Sequence, residues 1–362
     1  MSQPLQTRLK LLFTKAGADV SESILPDLLS FTYADKETLE ADTISLTLKD
    51  ERGKWASTWK PNGGEVVKAY IQSGTTTNRG KELYCGKFYV DKQSVSGSPR
   101  IYSLEGVSVP LDTPIRKKKK SAAWQRATLF SIADEIAGKN GLKLVYDADD
   151  KVSYSERVEQ QRESDLTFLM RLCEEAGFSL KVTDEKLVIF DQANYEKKAP
   201  IKTIILNESD ILSWSFDSSQ SEKYSSAKIS YRDPKKKEKG SAGSQQLDKE
   251  TESITRNNAI LEYTYYDPDG DANGQEYVYK ARAKSLDEAR SKAKAKLREL
   301  NKRAVTGSMS LIGDVSLVAG VVIACKGFGS FDGNFIVEEA THTIDGGGYV
   351  TEITLRRVNK NY

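Results

Sequence analysis

The first third of the chain alternates between apolar and polar positions over short segments. Residues 43–48 (Thr-Ile-Ser-Leu-Thr-Leu) alternate strictly, which predicts a strand with one buried face. Further β-branched and aromatic segments, separated by Gly and Pro turns, cover 65–72, 87–95 and 101–109. Short strands at this spacing predict a small β-sandwich or barrel over residues 1–112.

The pattern changes to a helical period in the middle of the chain. Residues 127–138 predict a helix because their apolar side chains recur on one face. That face carries Leu129, Ile132, Ala133 and Ile136. A strand hairpin is predicted at 178–182 and 186–190. Together these elements indicate an α+β domain over 113–195.

A second helix is predicted between Ser164 and Ala176. Ser164 is a favourable N-cap, Asp165 in the first turn complements the helix dipole, and Gly177 is a typical C-terminal stop. The predicted buried face consists of Leu166, Leu169, Cys173 and Ala176.

The last part of the chain returns to strand-like alternation and predicts a second β domain over 196–362. Strands are predicted at 201–206, 211–216 and 227–231, and 306–358 consists almost entirely of strands and glycine turns. An insertion is predicted at about 233–303, opening with a polar stretch. It closes with a helix that starts at a Ser285-x-x-Glu288 capping box and continues through Ala289, Ala293, Leu297 and Leu300.

The two β regions resemble each other. Residues 86–90 (Gly-Lys-Phe-Tyr-Val) match 333–337 (Gly-Asn-Phe-Ile-Val), and a Gly-containing loop and a strand follow each. Ahead of them, 64–67 (Gly-Glu-Val-Val) matches 320–323 (Gly-Val-Val-Ile). The pattern indicates an internal duplication, with chance similarity between hairpins as the alternative. A duplication predicts that one chain presents two near-equivalent rims.

Composition narrows the function classes. The 362 residues carry 54 Lys+Arg against 52 Asp+Glu, so the net charge of +2 provides no overall field for nucleic acid or an anionic membrane. No apolar run reaches the length of a membrane span. The first 13 residues include Arg8 and Lys10 and lack a small-residue cleavage site, unlike a secretory signal. Counting Gly and leaving out Tyr, about 40% of residues are apolar, a lean fraction that suits a subunit completing its burial in an assembly.

The residues that usually carry catalysis are scarce. The chain has one histidine, His342, which lies in an alternating strand-like segment without a nucleophile motif. Glu174 and Glu175 are adjacent on a helix, so their carboxylates diverge instead of forming a pair. Three cysteines far apart, at 85, 173 and 325, predict buried reduced thiols. We therefore predict no enzyme activity, no catalytic residues and no cofactor.

One acidic segment weakly resembles a calcium loop. Asp269, Asp271 and Asn273 occupy its first, third and fifth positions, but Lys280 stands where a bidentate Glu should close the coordination shell. An acidic turn is the favoured interpretation, and no metal site is predicted.

Two basic runs, at 116–120 and 235–239, raise the question of nucleic acid. Neither is interleaved with aromatic residues, so solvated loops are favoured over sequence-specific nucleic-acid binding. Electrostatic lining of a channel, or repulsion within an assembly, remain the alternatives.

The helical segment 161–178 (QRESDLTFLMRLCEEAGF) resembles a motif of phage late control D proteins and of VgrG spike proteins. The end of the chain resembles the closing hairpin of the same family. The residues that carry the resemblance are Glu163, Ser164, Asp165, Phe168, Leu169, Gly177, Gly333, Phe335, Val337, His342, Tyr349 and Thr351.

The resemblance implies a non-enzymatic baseplate hub of a contractile phage tail or a phage-derived injection particle. The implied fold class is α+β, mainly β, with two tube-like small β-barrel or sandwich domains flanking an α/β domain. The implied assembly is a homotrimer whose six β domains adapt the six-fold tail tube to the three-fold spike. Implied partners are the tail tube protein, the spike protein, other baseplate proteins and, as a further candidate, the tape measure protein.

The resemblance further implies assembly in the bacterial host cytoplasm and incorporation into the tail. Because the sequence ends at Tyr362 without a β-helical needle, the spike is expected to be a separate protein. The alternative function is a carbohydrate-binding or wall-degrading component of a tail tip.

Overall fold

A computed structural model of the chain shows a mainly β protein, as predicted. Several short segments lie outside the description that follows. The described residues are 6–13, 18–19, 21–37, 41–74, 80–109, 113–148, 152–183, 185–219, 223–232, 243–248, 252–257, 260–267, 274–283 and 285–358.

The first β half is an antiparallel sheet in the order β3-β4-β7-β6-β5-β1. The predicted alternation of 43–48 is confirmed, since Ile44, Leu46 and Leu48 are buried and the residues between them are not. The elements of this half are β1 (Gln6–Phe13), β2 (Ala18–Asp19), α1 (Ser21–Ile24), β3 (Leu28–Lys36), β4 (Thr43–Lys49), β5 (Val66–Gly74), β6 (Glu82–Ser96) and β7 (Ile101–Val107).

The middle region combines helices with two small sheets. Strands β8 and β10 form a two-stranded ribbon, and β11-β12-β9 form a mixed sheet. The helix predicted at 127–138 is present but begins at Leu129, because residues 127 and 128 belong to the preceding strand and Thr128 is the N-cap. Its four predicted apolar residues are buried. The elements are α2 (Pro114–Lys117), β8 (Lys120–Thr128), α3 (Leu129–Lys139), β9 (Lys143–Asp147), β10 (Ser153–Glu163), α4 (Asp165–Ala176), β11 (Ser179–Thr183), β12 (Lys186–Phe190) and α5 (Gln192–Glu196).

Helix α4 begins and ends as its sequence predicts, but its buried face is rotated. Ser164 Oγ accepts a hydrogen bond from the Thr167 N–H at 3.2 Å, and Gly177 ends the helix in the left-handed region. Leu166 and Ala176, predicted to be buried, are only half-buried. Phe168 and Leu172 take the core positions with Leu169 and Cys173, because Phe168 packs on Trp124 of β8.

The second β half is mainly antiparallel like the first, with one parallel pair at its outer strand. Between its strands lies a separate five-stranded sheet in the order β16-β17-β18-β15-β19, covered by one helix. The elements from residue 202 onward are β13 (Lys202–Ile205), β14 (Ile211–Ser218), β15 (Tyr224–Arg232), β16 (Gly243–Asp248), β17 (Glu252–Asn257), β18 (Ile260–Tyr266), β19 (Gln275–Ala283), α6 (Leu286–Asn301), β20 (Val305–Ile312), β21 (Val322–Lys326), β22 (Gly333–Asp345) and β23 (Gly348–Arg357).

The inserted sheet starts earlier than the insertion predicted at about 233. Strand β15 pairs with β18 and β19 and places Ile229 in the core beneath α6, so it belongs to this sheet. On α6, Ser285 Oγ accepts the predicted cap bond from the Glu288 N–H at 3.2 Å. The last buried position of α6 is Asn301, whose side-chain amide donates hydrogen bonds to Tyr224 O and Asp267 Oδ2, while Leu300 is half-buried.

The two β halves form one continuous 13-stranded sheet, which the sequence did not predict. The main path runs β14-β20-β23-β22-β3-β4-β7-β6-β5-β1-β2. The halves meet where β22 pairs antiparallel with β3. Each half keeps its own apolar core, although Val315 of the second half also packs into the first core.

Candidate assembly interface

The two β halves share the same backbone hydrogen bonds at equivalent positions. In each half, the strand after a positive-φ glycine bonds the hairpin that follows it. The matched pairs are Gly64 N–H to Val90 O and Gly320 N–H to Val337 O, both 2.8 Å, and Val90 N–H to Glu65 O and Val337 N–H to Val321 O, both 2.9 Å.

The hairpins also share an irregularity of register. A β-bulge interrupts β6 between Val90 and Lys92, and the equivalent bulge interrupts β22 between Val337 and Glu339. Phe88 and Phe335, at equivalent positions before the bulges, are both fully buried. Because bulges are specific local features, their matched positions favour duplication over chance similarity.

A second pair of matching strands lies at the start of each half. Strand β3 has a bulge between Leu28 and Ser30 where it pairs with β4, and β14 has one between Ile211 and Ser213 where it pairs with β20. The order β3-β4-β7-β6-β5 thus corresponds to β14-β20-β23-β22-β21. The halves differ at the outer strand, since β1 runs antiparallel to β5 whereas β13 runs parallel to β21.

The joint between the halves is tightly packed on its core side. Tyr33 of β3 lies opposite His342 of β22, and their rings stack with centroids 5.8 Å apart. The Nδ1 atom of His342 is 2.8 Å from the Tyr349 hydroxyl and 3.2 Å from Thr351 Oγ1. Burial lowers the pKa of His342 to about 4, so the imidazole is neutral at pH 7. This geometry supports a structural role for His342.

The opposite face of the continuous sheet is rich in small hydroxyl side chains. Because side chains alternate along strands, the strand pairings place all of these residues on one side. All of them are half-buried or exposed. They are Ser30, Thr32, Thr43, Ser45, Thr47, Ser94, Ser96, Ser103, Ser213, Ser215, Thr306, Ser308, Ser310, Thr341, Thr343 and Thr354.

Some of the charged residues on this hydroxyl face form ion pairs. Lys92 lies 3.0 Å from Glu105, and Lys36 lies 3.9 Å from Glu339. Asp217, Asp345 and Glu352 are exposed on the same face without an ion pair among the described residues. The hydroxyl face is therefore polar and carries a small excess of negative charge, and it extends across both halves.

Two of the open edges in the described part of the sheet expose apolar side chains, while β2 and β13, which pair only with β1 and β21, are open as well. Strand β14 pairs only with β20, and residues 91–96 of β6 pair only with β7. Both edges expose large apolar side chains: Leu212 is 57% exposed, Trp214 46% and Val95 50%. Exposed apolar strand edges are uncommon in monomeric proteins because they promote pairing with another chain.

Two buried charge clusters hold the middle region against the β halves. Lys181 of β11 contacts Asp35 at 2.7 Å and Asp42 at 2.9 Å, and Asp35 also accepts the Ala319 N–H. Although burial lowers the pKa of Lys181, the two carboxylates raise it overall. Lys181 therefore connects the middle region to the first half, and through Asp35 to the second.

The second cluster surrounds Arg356, which is fully buried. Its guanidinium pairs with Glu37 at 3.5 Å, with Glu338 at 3.2 Å and with Glu196. Burial raises the pKa of Glu37, although the charge of Arg356 opposes the shift. Sequence patterns did not indicate this cluster, since the four residues are distant in the chain and each looks like a surface charge.

The signature residues of the helical motif stabilise the middle region. Asp165 is buried and bonds Gln160 at 3.0 Å, Asn140 at 3.1 Å and Lys120 at 2.9 Å. Glu163 pairs with Arg171 at 2.8 Å.

Three further residues of the motif fix α4 against its neighbours. The ring of Phe168 stacks on Trp124 at 5.0 Å, and Leu169 lies in the core. Gly177 approaches helix α6, since a Cβ atom there would lie 3.0 Å from Ala295 Cβ.

The C-terminal signature residues lie in the second β half and its joint. Gly333 has a φ of +142°, and Phe335 and Val337 are fully buried in the core. His342, Tyr349 and Thr351 form the hydrogen-bonded group at the joint.

The remaining candidate features divide into described and undescribed positions. Asp269, Asp271 and Asn273 lie outside the described residues, as does the basic run 235–239. The basic run 116–120 was expected to be a solvated loop, and this is only partly correct. Arg116 is half-buried in α2, and Lys120 forms an ion pair with Asp165.

The described residues contain no group of three or more His, Cys, Asp or Glu that could hold a metal ion. The three cysteines are buried and free, and burial raises the pKa of Cys173 to about 12.

An apolar cavity of about 280 Å³, lined in part by Trp55 and Trp59, lies in the first half and was not indicated by the sequence patterns. Among the helices in the described ranges, none is long and apolar enough to cross a membrane.

Known proteins resemble the chain in both sequence and fold. A probable baseplate hub protein of Escherichia phage P2 is 28% identical over 197 residues, covering 53% of this chain and 49% of the relative. The chain thus spans about half the length of the curated relatives it matches. The 43 kDa tail protein of prophage MuSo2 from Shewanella oneidensis superimposes with a TM-score of 0.69 at 14% identity, covering 97% of this chain and 98% of that protein.

The fold is also found in a complex of a VgrG protein. The VgrG complex with PdpA from Francisella includes a chain with a TM-score of 0.54 at 9% identity, covering 99% of this chain and 58% of that one. These likenesses do not favour the carbohydrate-binding or wall-degrading alternative. The family described as phage tail baseplate hub (GPD) matches residues 109–348, two thirds of the chain. The chain therefore belongs to the phage tail baseplate hub family.

Proposed function

We propose that three copies of this chain form a ring that adapts the six-fold tail tube to the three-fold spike. The observation that carries the proposal is the duplication of the β half, with matched hydrogen bonds and matched bulges. Three chains with two such halves each present six similar rims to the tube. The inserted sheet and the middle region occur once per chain, so a trimer would present three copies of each, which matches a three-fold spike. Closed rings with repeated interfaces are a common form of oligomer.

In this ring the hydroxyl face forms the wall of the central channel. Each apolar core lies on the other side of the sheet, so a closed ring of sheets turns the hydroxyl face towards the axis. A wall of small hydroxyl groups with the exposed carboxylates of Asp217, Asp345 and Glu352 would let nucleic acid or an extended protein pass without strong retention. A strongly basic wall would bind a polyanion instead.

The partners follow from the position in the tail. The tube protein would stack on the rims of the six halves, the spike protein would bind the opposite end, and other baseplate proteins and the tape measure protein would contact the hub during assembly. The name of the phage P2 relative and the VgrG complex support this assignment. Assembly would occur in the host cytoplasm, and the role would be structural and non-enzymatic.

Co-expression with the tube and spike proteins of the same tail tests the proposal. We expect a complex that contains three copies of this chain by native mass spectrometry and that binds both partners. A monomer that binds neither the tube protein nor the spike protein would contradict the proposal.

A further inference from the structure

The open edges formed by β14 and by residues 92–96 of β6 are complementary by the chain's own internal symmetry. We propose that residues 92–96 of β6 pair antiparallel with β14 of a second copy of the chain, in the register that β22 and β3 use within one chain. The inference rests on the proposed ring and specifies which strands join its subunits.

The internal duplication defines the equivalence. The bulges match Lys92 of β6 to Glu339 of β22, and Ser213 of β14 to Ser30 of β3. In the joint within the chain, 339–345 pair with 30–36. Strand β6 is therefore the counterpart of β22, and β14 is the counterpart of β3. Within one chain β22 pairs with β3, but β6 does not pair with β14.

Burial differs between the made joint and the open edges at equivalent positions. His342 and Phe31 in the made joint are both 0% exposed. Their counterparts Val95 and Trp214 are 50% and 46% exposed. Both open edges thus carry apolar side chains at the positions that a joint of this kind covers.

The register follows residue by residue. His342 pairs with Tyr33 and Thr341 with Ala34, so Val95 should pair with Phe216 and Ser94 with Asp217 of the second copy. The full predicted set is Lys92–Ser219, Gln93–Ser218, Ser94–Asp217, Val95–Phe216 and Ser96–Ser215. In this arrangement Ser94 and Ser96 extend the hydroxyl face from one chain to the next.

The two edges of one chain cannot join each other. Seven strand spacings separate β14 from β6 along the sheet, which is about 34 Å at about 4.8 Å per spacing. Each chain offers one edge of each kind, so the contact is head-to-tail and propagates until a ring closes.

Paired cysteines test the register. We would introduce Ser94→Cys together with Asp217→Cys, two exposed positions on the hydroxyl face, and oxidise the purified protein. Cα atoms in antiparallel pairs are about 4.5–5.5 Å apart, within disulfide range. We expect covalent two-chain and three-chain species on non-reducing gels. The natural cysteines are buried and provide a low background.

Two variants serve as controls. Ala34→Cys with Thr341→Cys has the same geometry inside one chain and should lose its free thiols without any multi-chain band. Ser94→Cys with Ser213→Cys is displaced by four residues, about 13 Å along the strand, and should not cross-link.

The outcomes separate this inference from the proposed function. Covalent trimers from the in-register pair alone support the β6–β14 joint. A three-chain mass without cross-linking, while the control within the chain does cross-link, would overturn the joint and leave the ring intact. A monomer under all assembly conditions would overturn the ring and the joint together.

Discussion

His342 is buried in the second β half, whereas Val95, at the equivalent position of the first half, is half exposed. Phe31 and Trp214 are also equivalent, and Phe31 is buried whereas Trp214 is 46% exposed. Residues at equivalent backbone positions thus differ in exposure because one joint is made within the chain and the other is open. The exposed side chains are apolar, which is the residue type that a covered joint requires.

Substitution of Val95 by Glu should weaken the ring without unfolding the subunit. Val95 is half exposed, so the change should alter the free energy of unfolding by no more than about 0.5 kcal/mol. In a joint, the buried carboxylate would oppose association. Sedimentation velocity should show fewer trimers. Val278→Glu, at a valine 58% exposed on the inserted sheet, is the matched control and should leave the trimer unchanged.

Gly177→Ala should reduce stability more than Gly141→Ala. Both glycines have positive φ values, +77° and +68°, so both variants incur similar backbone strain of about 1 kcal/mol. Only at Gly177 would the new methyl group meet a neighbour, Ala295 Cβ at 3.0 Å. Urea denaturation of the two variants measures the difference, and equal losses would contradict the close approach of α4 to α6.

The single histidine makes a pH prediction easy to measure. Burial lowers the pKa of His342 to about 4, below its unfolded value of about 6.5. Between these values the unfolded state binds more protons, so stability falls as the pH drops from 6.5 towards 4. His342→Gln should lose less stability over this interval. NMR of the one imidazole in the chain should give a midpoint near 4, and a midpoint near 6.5 would contradict its burial.

At the scale of the elements, local patterns predicted much and tertiary contacts decided the rest. The alternation of 43–48 and the caps Ser164 and Gly177 were read correctly because their signals lie within a few residues. The pairing of β22 with β3 joins strands about 300 residues apart, so no local pattern indicates it. The rotation of α4 follows from Phe168 packing on Trp124, which periodicity alone could not anticipate.

Arg356→Met should be strongly destabilising because it leaves Glu37, Glu196 and Glu338 without their buried cation. Removing one partner of a buried ion pair costs about 3–5 kcal/mol. Arg303 pairs with the same Glu338 at 3.3 Å but is 67% exposed, so Arg303→Met should cost no more than about 1 kcal/mol. Thermal and urea unfolding compare the two, and equal effects would contradict the role of the cluster.

At the scale of the whole molecule, one sheet carries the core on one side and the hydroxyl face on the other. The sequence predicted the duplication, and the matched bulges support it. The duplication alone does not reveal which strands lie at open edges of the sheet. Those edges follow only from the complete strand order. The low apolar fraction is consistent with this account, because the proposed contact between chains would bury Val95, Leu212 and Trp214.

Single-particle imaging of the purified hub tests the three-chain ring most directly. We predict a three-fold ring with six similar β lobes around a central channel, in which β6 of each chain adjoins β14 of the next and the hydroxyl face lines the channel. A monomer, or an oligomer in which both edges remain exposed to solvent, would contradict it.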